Sequence, residues 1–427
     1  MEKKSDYNTG NVLKKTTFYS ILVLSFFGMI SCDSDSDDDG RGYLSNAEPI
    51  VLELREKIVS DNTFAFDLFK TTYNFTKESN VFVSPLSVNM ALSMTLNGAE
   101  STTLEEMQDA LRVKNYSSDD INKYNKSLME ALVAVDKSTT LSIANSLWYH
   151  NAYTFKNDFI SVNKNNYNAE IKALDFRSSN AVRQINDWVS DKTNKKIPEI
   201  IKELTPENVI CLINAIYFKG IWREKFDKNR TKDEDFYSEN GISMGKVKMM
   251  SQTHNFPYSE DENCGYLMLP YGNGAFSMIV MLPHKEKTID DVISNLNDES
   301  WYDATIYMDR YEVNLRFPRF KAECSYDMHK DILPEMGMIT PFSDEADFSG
   351  MTGNKLVKIS KVIHKTFIEV NEEGTEAAAV TAVVGDVTAG PPPGTIIDYV
   401  VNKPFAFAIR ENSTGVILFI GKIGSVN

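Results

Sequence analysis

Apolar and polar positions change their period along the chain, and the change marks where helices give way to strands. After Ser84-Pro85, the residues Val88, Ala91, Leu92, Thr95 and Leu96 follow one helical face, and the proline suits a first helical turn. Asp61-Asn62-Thr63 ahead of Phe64, Phe66, Leu68 and Phe69 predicts a capped helix start there. A further amphipathic helix is expected from near Asn180, carrying Trp188 and Val189. Later the pattern turns to strands. Residues 209–218 are almost continuously apolar, as in a strand buried on both faces. Residues 276–282, 405–409 and 416–420 read the same way, and Glu411-Asn412-Ser413-Thr414-Gly415 joins the last two as a hairpin. Helices come mostly first and strands mostly later, which favours an α+β fold over a doubly wound α/β fold. From about Val51 no linker or internal repeat divides the chain, so residues 50–427 are expected to form one domain.

Residues 372–396 break the pattern. They hold Gly374, Gly385, Gly390, Gly394 and Pro391-Pro392-Pro393, with almost no large side chains, between two strong strands. A long loop inside a compact domain is usually functional or disordered.

Composition removes several kinds of function. The 427 residues carry a net charge of −15, which disfavours a nucleic-acid partner. The five histidines include no i, i+4 metal pair, and neither a phosphate loop nor a G-x-S-x-G elbow occurs. No metal, cofactor or enzymatic activity is therefore expected. Cys32, Cys211, Cys264 and Cys324 are too scattered to suggest a disulfide framework. Cys211 reads as a small buried hydrophobe, and the other two domain cysteines as structural or inert.

Lys14 and Lys15 precede an apolar stretch, residues 18–30, that is short for a membrane span but suits a secretory segment. It ends in Met29-Ile30-Ser31-Cys32, which resembles a bacterial lipoprotein box with Cys32 as the lipidated residue. Residues 1–31 are then a signal peptide and 32–49 an acidic tether, since Asp33-Ser34-Asp35-Ser36-Asp37-Asp38-Asp39 buries no apolar area. An acidic run after the cysteine resembles the surface-export signal of Bacteroidetes lipoproteins. The expectation is an outer-membrane lipoprotein exposed at the cell surface; the plainer alternative is a secreted soluble protein.

The loop carries the most specific signal. Val370-Asn371-Glu372-Glu373-Gly374-Thr375-Glu376-Ala377-Ala378-Ala379 resembles the reactive-loop hinge of inhibitory serpins. Four further segments fall in that family's order: Asn80-Val81-Phe82-Val83-Ser84-Pro85-Leu86-Ser87, Leu212-Ile213-Asn214-Ala215-Ile216-Tyr217-Phe218-Lys219-Gly220-Ile221-Trp222, Ala346-Asp347-Phe348-Ser349-Gly350 and Asn402-Lys403-Pro404-Phe405. The resemblance implies a large central sheet A, two smaller sheets, eight or nine helices and an exposed reactive-centre loop. It also implies a mechanism. A protease cleaves the loop, forms a covalent acyl-enzyme, and is trapped when the loop inserts as a new strand; serpin insertion is a known case of strand addition.

By the same resemblance, Ser84, Ser87, Asn214 and His364 correspond to the shutter under the central strands. Trp222, Arg319 and Glu372 correspond to the breach where insertion begins. Counting from Glu372, the family's spacing puts the scissile bond at Thr388–Ala389, within a window of 384–389. The residues themselves fit insertion: Thr375, Ala377, Ala379, Thr381 and Val383 form an uncharged alternating set, and Glu376 falls in the other. With Val387, Thr388 and Ala389 at the tip and no Arg, Lys or aromatic residue nearby, the expected partners are elastase-like or subtilisin-like serine proteases, with papain-like cysteine proteases as further candidates. A monomer is expected. The alternative is a non-inhibitory serpin acting as a surface binding or carrier lipoprotein.

Overall fold

The chain runs α1 (Lys57–Phe75), β1 (Asn80–Val83), α2 (Pro85–Leu96), α3 (Ser101–Ala110), α4 (Ser118–Ala134), β2 (Thr140–His150), α5 (Asn157–Tyr167), β3 (Glu170–Leu174) and α6 (Ser179–Lys192). It continues through β4 (Ile210–Ile221), β5 (Lys232–Tyr237), β6 (Ser243–Glu260), β7 (Cys264–Pro270), β8 (Phe276–Pro283), α7 (Ile289–Asn295), α8 (Asp298–Ile306), β9 (Asp309–Pro318) and β10 (Phe320–Asp327). It closes with α9 (Ile332–Glu335), α10 (Ser349–Thr352), β11 (Ile359–Asn371), β12 (Gly374–Thr375), β13 (Ile396–Val400), β14 (Phe405–Glu411) and β15 (Ile417–Ile423). This computed structural model describes residues 46–76, 78–375 and 396–426. The fold is α+β. Among the described residues eight helices, α1–α8, run seven residues or longer, while α9 and α10 are single turns of four.

Local chemistry explains several boundaries. Pro85 opens α2, where its fixed φ suits the first turn and its missing N–H leaves no bond unmade. Ser117 and Asp120 form a reciprocal capping box at the start of α4. The expected cap at Asp61 is corrected: α1 begins at Lys57, so Asp61 lies inside the helix. Its carboxylate is buried, accepting the Lys57 ammonium at 2.5 Å and the Tyr124 hydroxyl at 2.6 Å. A residue that looks like a cap in sequence is thus the centre of a buried polar cluster.

Among the described residues the central sheet has six strands in the order β10-β11-β12-β4-β2-β3, and β11 also pairs directly with β4. A second sheet has nine among the described residues, in the order β1-β15-β14-β8-β7-β6-β9-β13 with β5 on β6. The two smaller sheets expected from the resemblance are continuous here, because the 18-residue β6 pairs with β5 and β9 along most of its length and with β7 at its end.

The apolar run at 209–218 becomes β4, and both of its faces are covered. Leu212, Ile216 and Phe218 join the main core, whereas Cys211, Ile213 and Ala215 pack with Ile185 and Val189 of α6 and with Ile197 and Ile200 beyond it. That two-sided cover is why the strand carries no alternation. Cys211, Cys264 and Cys324 are free buried thiols. Burial pushes the Cys211 and Cys264 thiols well above their usual range, so neither is primed as a nucleophile.

Candidate functional site

The site is the line along which β11 and β4 meet. In its lower half the two strands run parallel and pair from Ile359↔Ile210 to Lys365↔Ala215. In its upper half they diverge. Residues 366–369 of β11 and 216–219 of β4 have no ladder between them among the described residues. At the top the two-residue β12 fills the opening, pairing antiparallel with β11 at Val370 and Asn371 and with β4 at Gly220 and Ile221.

A buried polar cluster lies at the seam. His364 and Asn214 are cross-strand partners. The Ser84 N–H donates to His364 Nε2 at 2.9 Å, and the Ser84 hydroxyl donates to the Leu418 carbonyl at 2.6 Å. The Ser87 hydroxyl donates to Asn214 Oδ1, while Asn214 Nδ2 donates to Asn145 Oδ1 at 2.7 Å. Because His364 Nε2 accepts, its proton sits on Nδ1, which is buried with no partner among the described residues. Burial pushes the His364 pKa down to about 3, so the ring is neutral. A buried donor without an acceptor costs free energy, and it sits where the strands must part if anything is to insert.

The turn feeding β12 is clamped from both sides. Glu372 is 2% exposed. Arg319 donates to its Oε1 from Nε at 2.7 Å and from Nη2 at 2.5 Å, and the Thr231 hydroxyl donates to the same oxygen. Burial pushes the Glu372 carboxyl up, but these donors outweigh it and hold the group below the usual range. Glu373 bridges Lys225 at 3.0 Å and Lys228 at 2.9 Å, which likewise hold its carboxyl down. The Trp222 indole donates to the Asn371 carbonyl at 2.9 Å and stacks on Tyr271 at 4.4 Å between ring centres.

Gly374 follows at φ +148°, where an added Cβ would lie 2.1 Å from the Gly220 carbonyl oxygen. Only glycine permits that approach. Thr375 then turns beneath the sheet, 1% exposed, with its hydroxyl 2.6 Å from that of Tyr271.

The structure therefore brings Ser84, Ser87, Asn214 and His364 into one cluster, and Trp222, Arg319 and Glu372 around one turn. Glu373, Gly374 and Thr375 continue directly from it. Glu376, Ala377, Ala378 and Ala379, the expected scissile bond at Thr388 and Ala389, and Cys32 lie outside the described residues. Sequence reading missed Asn145, Thr231, Lys225, Lys228 and Tyr271. Tyr271 is 104 residues from Thr375 in the chain, and no spacing rule links them. Lys225 and Lys228 follow Trp222 closely, and their charge opposite Glu373 was the one available signal.

Comparison with known proteins places these features in context. A family model described as serpin (serine protease inhibitor) matches residues 59–426. A leukocyte elastase inhibitor of Bos taurus is 36% identical over 384 residues, covering 87% of this chain and 100% of that protein. Among solved structures, the thermophilic serpin tengpin in its native state superposes with a TM-score of 0.79 at 35% identity, covering 89% of this chain and 97% of that one. A thyroxine-binding globulin complex with thyroxine gives 0.78 at 28% identity, covering 87% and 100%.

Proposed function

The chain belongs to the serpin family, and from that premise we propose that it is an irreversible, suicide-substrate inhibitor of serine endopeptidases with small-residue preference. The observation that carries this reading is the position of β12: the hinge residues Gly374 and Thr375 already lie between β11 and β4, at the head of the stretch where those two strands share no ladder among the described residues.

Continuing the register of β12 sets out the rest. Ala377 would pair beside Ile368 and Phe218, and Ala379 beside Thr366 and Ile216, all with side chains toward the main core. Ala379 would be the last residue to fall within the stretch that has no ladder among the described residues. Val380 falls at Lys365 and Ala215, and Thr381 at His364 and Asn214, so from there the parallel seam must open. An uncut loop is tethered at both ends; β13 holds its far end on β9, from Ile396↔Glu312 onward.

In the proposed reaction, the protease serine oxygen attacks the Thr388 carbonyl, the Thr388–Ala389 amide breaks, and an ester forms. The serine proton leaves on the Ala389 amine. The freed arm then inserts. About seventeen extended residues span roughly 56 Å, enough to carry the esterified protease along the domain. About fifteen new ladder bonds at roughly 0.5–1.5 kcal/mol each, plus apolar burial, sum to about 10–20 kcal/mol. That rivals the stability of a whole domain, so the uncut form is held by a barrier.

Elastase-like or subtilisin-like targets follow from Val387, Thr388 and Ala389, and similarity to a leukocyte elastase inhibitor supports them. Cys32 and the apolar run before it support a lipid-anchored, surface-exposed protein. The test mixes the purified chain with pancreatic elastase, subtilisin and trypsin. An SDS-resistant covalent band is expected with the first two. The second reading, a carrier, is favoured by the likeness to a thyroxine-binding globulin; loop cleavage with no covalent band would replace the first reading by it.

A further inference from the structure

Tyr271 opens the turn between β7 and β8 of the second sheet, yet its side chain meets the central one. Its ring is held on two sides. It stacks on Trp222 at an interplanar angle of 11°, and Phe218 packs edge to face with it at 5.2 Å between ring centres. Its backbone is fixed as well. The Tyr271 N–H donates to the Phe276 carbonyl and the Gly272 N–H to the Ile221 carbonyl of β4, both at 2.8 Å. A ring so enclosed, with no exposed surface, has little room to turn away.

Packing alone does not account for the hydroxyl. A phenylalanine ring would stack and fill the same space, whereas a buried hydroxyl needs a partner. Thr375 is that partner, at 2.6 Å, and the only one among the described residues. The pairing is specific to register, since Thr375 sits between Val370 of β11 and Gly220 of β4. A slip of one residue would bring to the same hydroxyl either Gly374, which has no side chain, or Glu376, whose charge would be buried. The fit is also close: a Cβ added at Gly220 would lie 2.7 Å from the Tyr271 ring.

Trapping is a race between insertion of the cut arm and hydrolysis of the ester. An arm whose first residue is already bonded in the correct register has less chain to order before its next pair forms. The bond exists before the cut and keeps its place afterwards, because insertion extends the register of β12 without shifting it. Resting on the protease-trapping reading, we propose that Tyr271 is a positioning residue of that reaction. Its hydroxyl latches Thr375 in the register from which the arm inserts, and so sets the share of cut loops that end as trapped protease.

The test titrates the full chain against subtilisin and reads two quantities. One is the chain consumed per protease inhibited; the other is the rate at which chain is consumed, cleaved plus complexed. Tyr271→Phe should raise the first about threefold and leave the second unchanged, since the latch acts after the cut. Thr375→Val should do the same, and Thr375→Ser should match the parent. The double variant Tyr271→Phe/Thr375→Val should be no worse than either single variant, whereas a mere packing defect would add to the Thr375 effect. An unchanged ratio in Tyr271→Phe, or a double variant equal to the product of the two singles, would overturn the proposal. Should Tyr271→Phe fail to fold, a parent-like ratio in Thr375→Val, or a Val-like ratio in Thr375→Ser, would overturn it equally. A parent that forms no covalent band sinks the trapping reading itself; a trapping parent with a parent-like Tyr271→Phe sinks only the latch.

Discussion

The two halves of the β11–β4 line are built from the same two strands and behave in opposite ways. Below, six recorded residue pairs close the seam over a buried polar cluster. Above, Ile216 and Phe218 on one strand and Thr366 and Ile368 on the other stand over the main core with no ladder between them. The lower half is sealed by hydrogen bonds yet holds a His364 Nδ1 with no partner among the described residues. The upper half forgoes its ladder and is held by Arg319, Thr231, Lys225 and Lys228 on two glutamates. Under the proposed mechanism, one part of the sheet would accept the inserting strand and the other would have to be opened by it.

The largest expected effect breaks the upper half. Thr375→Arg would bury a guanidinium against Tyr271 with no counter-charge, at a cost of several kcal/mol. Yield of the covalent protease complex should fall by more than about tenfold while cleavage of the loop continues, converting inhibitor to substrate. An unchanged complex yield on SDS gels would show that Thr375 need not pass under the sheet.

A smaller effect sharpens the lower half. His364 is neutral in the folded chain with a pKa near 3, against about 6.5 when unfolded, so the unfolded state binds the extra proton between those values. The stability this contributes is full above about pH 6.5 and falls as pH drops, by up to about 1.4 kcal/mol per pH unit. His364→Gln keeps an acceptor for the Ser84 N–H and should flatten the denaturation midpoint between pH 6.5 and 5. The carboxylates of Glu372 and Glu373 are held low and lose their contribution only at more acidic pH, outside that window. A parent-like slope in the variant would place the pH sensitivity elsewhere.

The contrast between the halves was only partly legible in the sequence. Strand and helix identity were readable because β4, β14 and β15 carry dense apolar runs and α2 carries a proline start. The shutter and breach residues were readable only through motif resemblance, since nothing in local periodicity joins Ser84 to His364, 280 residues away. Asp61 misled because a helix cap and a buried helical carboxylate have the same local composition. The depth of hinge insertion was not legible at all. It depends on Gly374 meeting Gly220, a contact between segments far apart in the chain.

Both halves serve one claim: the uncut fold is metastable and relaxes when the loop is cut. Differential scanning calorimetry of the chain before and after a single clip in residues 384–389 tests it most directly. An insertion gain of about 10–20 kcal/mol should raise the melting midpoint of the clipped chain by roughly 10–25 °C. An equal or lower midpoint after clipping would contradict it.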